Sequence, residues 1–226
     1  MEKVGNMSEF ARNIEYVSIM NIELLKTHKA YKYAQDVVNG TILAGKYIRK
    51  ACENFINDIN NNEECKYFLD TNELIKITNL TKLINMASGL KVGLSAFKAL
   101  AGFQWFFLIN ALCWKYKDNQ EKRRYEKSVL LIARKSGKSF LVGLIFCILL
   151  LIEPQFSEFY SVAPDRELSS IVKKELEQTI KVSPLIEPYF EIVKTEIRCK
   201  ITNSKFVPLA CSENRLDGKA YSAVVA

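Results

Sequence analysis

Gly137, Lys138 and Ser139 stand in a row between two strongly apolar runs. These three residue types are what a triphosphate needs. A glycine lets backbone N–H groups turn inward, a lysine reaches the β- and γ-phosphates, and the adjacent hydroxyl ligates Mg2+. The whole segment, Ile132-Ala133-Arg134-Lys135-Ser136-Gly137-Lys138-Ser139, has the length of a phosphate-binding loop. It departs from the usual pattern at Ile132, where a first glycine would stand. Gly-Lys-Ser alone is a weak signal, and a lysine-rich surface turn is the plain alternative. Context strengthens the sharper reading, because a solvated turn has no reason to lie between apolar runs. Arg134 and Lys135 add charge within the loop. They either face solvent and steer phosphate, or Arg134 contacts the γ-phosphate as an arginine finger supplied in cis.

The elements around the loop must hold it at the end of a sheet. Ser128–Ala133, SVLLIA, has the length and apolar character of a buried strand. Phe140–Ile152 is apolar throughout. At ~1.5 Å per residue its thirteen residues reach only about 20 Å as a helix, short of a ~30 Å hydrocarbon core, so it reads as a buried helix and not a membrane span. Phe159–Ala163 reads as a second strand. Pro164-Asp165 opens a helix to about Val182, with Leu168, Ile171, Val172, Leu176 and Ile180 on one face. Strand, helix, strand, helix predicts an α/β fold: a parallel sheet with helices on both faces. Three β-like runs follow, Phe190–Val193, Glu196–Ile201 and Lys205–Ala210, the last two joined as a hairpin through Thr202-Asn203-Ser204. Tyr221–Ala226 reads as a core strand.

The first part of the chain is helical in pattern. Val38, Ile42, Tyr47, Ile48, Ala51, Cys52, Phe55 and Ile59 recur at spacings near three and four, which predicts an amphipathic helix over Val37–Ile59 broken near Gly40 or Gly45. Asn57–Glu64 reads as a loop. A second helix is predicted over about Thr71–Ala87, with Thr71 as N-cap and Ser88-Gly89 as its stop. Phe103–Tyr116 reads as an aromatic-rich helix. The division that follows is a helical lead-in region over 1–95 and a nucleotide-binding domain over 96–226.

Composition adds outer limits. The 226 residues carry a formal charge of +7, which suits a polyanion such as DNA without requiring one. Six cysteines without a Cys-x-x-Cys spacing and a lone histidine, His28, argue against zinc and for reduced thiols. No apolar leader opens the sequence. Lys115, Lys117, Lys122, Arg123 and Arg124 cluster before the loop, interspersed with Asp118 and Glu121, and read first as a solvated connection.

Taken together, these segments resemble the ATPase region of the large subunit of tailed-bacteriophage terminases. LIARKSGKS (131–139) is similar to that family's deviant Walker A motif, AGFQWFFLINALCWKY (101–116) to its upstream helix, residues 33–59 to its helical lead-in, and SENRLDGKAYSAVVA (212–226) to the approach to its Walker B strand. The resemblance implies a RecA/ASCE-like P-loop NTPase that binds ATP and Mg2+. It places Arg134, Lys135, Ser136, Gly137, Lys138 and Ser139 around the phosphates, with Ser139 on the metal, Lys138 and Arg134 as catalytic cations, and Phe103 and Gln104 at the adenine. A Gln amide can pair with both N6 and N7 of adenine, although Gln104 also suits a role inside a helical bundle. The resemblance further implies double-stranded DNA, the terminase small subunit and the portal as partners, possible oligomerisation in the assembled motor, no membrane, and the cytoplasm of a bacterial host.

One departure matters. In the family the strand similar to YSAVVA runs into Asp-Glu, which supports magnesium and polarises water. Here the sequence stops at Ala226. The expectation is an ATP-binding fragment with weak or no hydrolysis alone, from a truncated piece, a split gene or a decayed prophage remnant. A helicase-like P-loop NTPase and a non-enzymatic assembly module remain alternatives at this point.

Overall fold

A computed structural model describes residues 25–61, 64–89, 91–210 and 222–225. They divide into two compact units. One holds the described residues up to Ile75 together with Leu100–Ser128, and the other holds Lys76–Ala99 with the described residues from Val129 onward.

The first unit is helical. The predicted break at the two glycines is real and separates α1 (Lys29–Val38) from α2 (Lys46–Asn60). α1 packs on α2 and on α5 (Gly102–Cys113), burying Tyr31, Ala34, Val37, Phe55, Trp105 and Leu108. Phe55 sets its ring edge against Phe106 and Trp114 at 5.2 and 6.0 Å. Only part of the apolar stripe on α2 is covered. Cys52, Phe55 and Ile59 are buried, whereas Tyr47, Ile48 and Ala51 face solvent. The predicted helix over Phe103–Tyr116 ends early, because Trp114–Tyr116 (β2) pairs antiparallel with β1 (Tyr67–Leu69). α3 (Thr71–Leu83) starts where expected, but Asp70 and not Thr71 caps it, accepting from the Glu73 N–H at 3.0 Å.

In the second unit residues 85–89 and 91–95 belong to a narrow strap, closed by the Asn85–Ser95 bridge and followed by the single turn α4 (Ala96–Ala99). The five-stranded sheet follows: β3 (Glu158–Ala163), β4 (Phe190–Ile192), β5 (Ile197–Cys199), β6 (Lys205–Ala210) and β7 (Ala223–Val225), in the order β4-β5-β6-β3-β7. β6, β3 and β7 are parallel, while β4 and β5 are antiparallel additions, so the sheet is mixed. Thr202 to Ser204 make the predicted turn, with Asn203 left-handed at φ 55°.

Two helices cover this sheet: α6 (Lys138–Ile152) and α7 (Arg166–Lys181). Phe146 of α6 meets Phe159 and Phe206, and Ser161 donates to Ser169 O on α7 at 2.7 Å. Positions 159 and 161 share one face of β3, so both helices lie on that face. The expectation of helices on both faces therefore fails among the described residues. Element order cannot assign faces, because these depend on the strand order of the sheet. On α7, Leu176 and Ile180 are buried, whereas Leu168 and Ile171 of the predicted stripe are exposed.

The larger correction concerns Ser128–Ala133. It is not a strand of this sheet. Val129 and Leu131 are 91% and 94% exposed, with Leu130 and Ile132 half-buried between them. The alternation of a strand is present, but no described strand pairs with it.

Candidate nucleotide-binding site

The loop follows that exposed segment and ends at the N-terminus of α6. Lys135 and Gly137 both take left-handed backbone, φ 65° and 78°, on either side of Ser136. Alternating handedness of this kind gathers successive N–H groups to one side and makes an anion-binding nest. Gly137 adopts its φ freely, whereas Lys135 does so at a cost. Ser136 N–H donates to Ala133 O at 3.4 Å, closing the turn, and Leu141 N–H donates to Gly137 O at 3.0 Å, starting the helix. No side chain caps α6 and no acid lies in its first turn, so its positive end is left for an anion.

The topology places this end of α6 at a defined edge. α6 leads through residues 153–157 into the start of β3 and so runs back along it. Its N-terminus therefore lies toward the carboxyl end of β3, where α7 also begins. Ligands of open α/β sheets bind at that edge. Asp165 caps α7 there, accepting from Leu168 N–H at 2.8 Å.

Four of the loop side chains have no other commitments. Arg134, Lys135, Lys138 and Ser139 are exposed, and among the described residues none of them makes a side-chain hydrogen bond or ion pair. A free ammonium next to a free hydroxyl, at the start of an uncapped helix, fits a phosphate chain with its magnesium.

Phe103 and Gln104 belong to the first turn of α5 in the helical unit. Gln104 is buried, and its Oε1 accepts from Ala101 N–H at 2.9 Å. This is the backward half of a capping box, which Ala101 has no oxygen to complete. The basic cluster before the loop is likewise occupied. Lys115 pairs with Asp70 at 2.8 Å, Lys122 with Glu126 at 2.9 Å and Arg124 with Asp58 at 2.6 Å. The Arg124 guanidinium also lies 4.2 Å from the Tyr67 ring centre.

Gly143 was not singled out from the sequence, yet it sets how closely α7 approaches the loop helix. A Cβ there would stand 3.3 Å from Glu175 Cγ and 3.4 Å from Leu176 N. A glycine inside a wholly apolar helix was the available signal. Glu175 in turn accepts from Ser88 Oγ at 3.0 Å, and Asn85 N–H donates to Ser183 Oγ at 2.8 Å, so the strap is tied along α7.

Fold and loop together define an α/β protein of the P-loop nucleoside-triphosphatase class. The model of the terminase large subunit ATPase domain matches residues 102–226, and the chain belongs to that family. Among solved structures, it is similar to the crystal structure of the HK97 bacteriophage large terminase, with a TM-score of 0.52 and 20% identity over 66% of this chain. The similarity spans 29% of that terminase. No curated protein sequence matches.

Proposed function

We propose that Ile132–Ser139 binds the phosphates of ATP with Mg2+, and that the chain is the nucleotide-binding part of a motor that moves double-stranded DNA into a phage capsid. The observation that carries this is the uncommitted set Arg134, Lys135, Lys138 and Ser139, gathered on one loop at the start of α6 while the basic cluster of the helical unit is neutralised. In this reading Lys138 holds the β- and γ-phosphates, Ser139 ligates magnesium, and Lys135, Ser136 and Gly137 supply backbone N–H groups. Arg134 stabilises charge that develops on the γ-phosphate. The small subunit and portal are the partners this function requires, in the cytoplasm of a bacterial host.

Replacing Lys138 by Ala tests the assignment. ATP affinity should fall at least about a hundredfold, as expected for losing a charged phosphate contact worth roughly 3 kcal/mol. Displacement of a fluorescent ATP analogue measures it, and affinity retained by the variant sinks the loop assignment.

In this proposal Gln104 reads adenine while its carbonyl, which has two acceptor sites, keeps the Ala101 N–H. In the Gln104→Ala variant a loss of preference for ATP over GTP supports that role. Unchanged preference with a lower melting temperature assigns Gln104 to capping alone.

A further inference from the structure

Apolar periodicity predicts that Tyr47 and Ile48 are buried, and the structure exposes them. Leu43 is 96% and Tyr47 84% exposed, beside half-exposed Ile48. Three cations share this short stretch: Lys46, Arg49 and Lys50. At spacings of three and four on α2 they project from one side of the helix. No acidic residue occurs between Asp36 and Glu53.

The charges are uncompensated. Among the described residues the Lys46 and Arg49 side chains make no hydrogen bond or ion pair. Lys50 reaches Glu53 only at 3.8 Å, between exposed side chains, a contact worth little in water. This contrasts with Lys115, Lys122 and Arg124 of the same unit, each held by a carboxylate. Asp36, at the end of α1, forms no ion pair with the cluster. The stretch also lies outside residues 102–226 that define the family.

We infer that Leu43–Lys50 is a nucleic-acid contact surface, with Lys46, Arg49 and Lys50 on successive phosphates and the Tyr47 ring against an accessible base. Long cationic arms on one helical turn reach neighbouring phosphates of a strand. A flat exposed aromatic ring to one side of them is the stacking element that single-stranded binders use. An acidic protein surface or an anionic lipid surface would also answer the charges. The choice of nucleic acid rests on the DNA-handling function proposed above.

The test uses the full chain and fluorescein-labelled 30-mers, single-stranded and duplex, followed by anisotropy over a salt series. The K46E/R49E/K50E variant should bind both at least about tenfold more weakly, with a log–log salt slope shallower by about two to three. Tyr47→Ala should weaken single-stranded binding by roughly tenfold and leave duplex binding nearly unchanged. All these side chains are exposed, so circular dichroism should show an unchanged fold. ATP binding by both variants should equal that of the parent, which separates this surface from the nucleotide loop. The inference is overturned if the parent binds neither DNA, if the charge-reversed variant binds as the parent does, or if the patch binds phosphatidylserine vesicles and not DNA.

Discussion

At the scale of single residues, His28 illustrates how a side chain that could do chemistry is absorbed by structure. Its Nδ1 accepts from Ala30 N–H at 3.2 Å as the N-cap of α1, and its ring stands edge-on to Trp105 at 4.7 Å. Burial, with Lys29 adding to it, lowers its pKa to about 4. A base whose folded pKa lies below its unfolded value leaves stability intact above about pH 6.5 and lowers it as pH falls toward about 4, because only the unfolded chain takes up the proton. The full penalty is roughly 3 kcal/mol. A melting series from pH 7 to 4 should therefore show a steep loss that His28→Asn, which keeps a capping oxygen, largely removes. An equal pH slope in the variant would place the effect elsewhere. The thiols show the same absorption: burial pushes Cys52 up to about 11 and Cys113 and Cys147 higher still, which keeps them unreactive. The Gly-Lys-Ser loop was legible at this scale because its chemistry is local in sequence. The Gln104 cap was not, since the same amide suits a base edge and a helix end equally well.

At the scale of elements, most strands and helices could be read from periodicity and punctuation. Gly40 and Gly45 divide the first helices, Pro164-Asp165 opens α7, and Asn203 turns the hairpin. What periodicity could not supply was cover. SVLLIA has a strand's pattern, but a strand is made by its neighbours, and no described strand lies beside it. Replacing Val129 and Leu131 by Ser should then shift stability by no more than about 0.5 kcal/mol each, as for ordinary surface positions. A loss of several kcal/mol in denaturant titration would mean that the segment is packed in solution. Helix contact was equally hidden. Gly143 permits α7 to approach α6, and Gly143→Val should cost about 1–3 kcal/mol by overpacking against Leu176 and Glu175. Gly143→Ala should be close to neutral, because the gain of about 1 kcal/mol in helix propensity offsets a contact that the flexible Glu175 side chain can relieve.

At the scale of the whole molecule, the distribution of charge connects the fold to its function. Basic residues on β2 and in the connection after it hold that unit together through Asp58 and Asp70, so they are not available to a polyanion. Among the described residues, clusters of cations without a close carboxylate include the loop before α6 and the first turn of α2. The first is suited to a triphosphate and the second to a polymer of phosphates, a division that fits a member of the terminase ATPase family. The net charge of +7 could not have shown this division, because counting charges does not show which of them are paired. The most direct test of the central claim is a calorimetric titration of the chain with ATP, with and without Mg2+. The account predicts saturable one-to-one binding that weakens when Mg2+ is withdrawn. Absence of any heat of binding with Mg2+ present would contradict it.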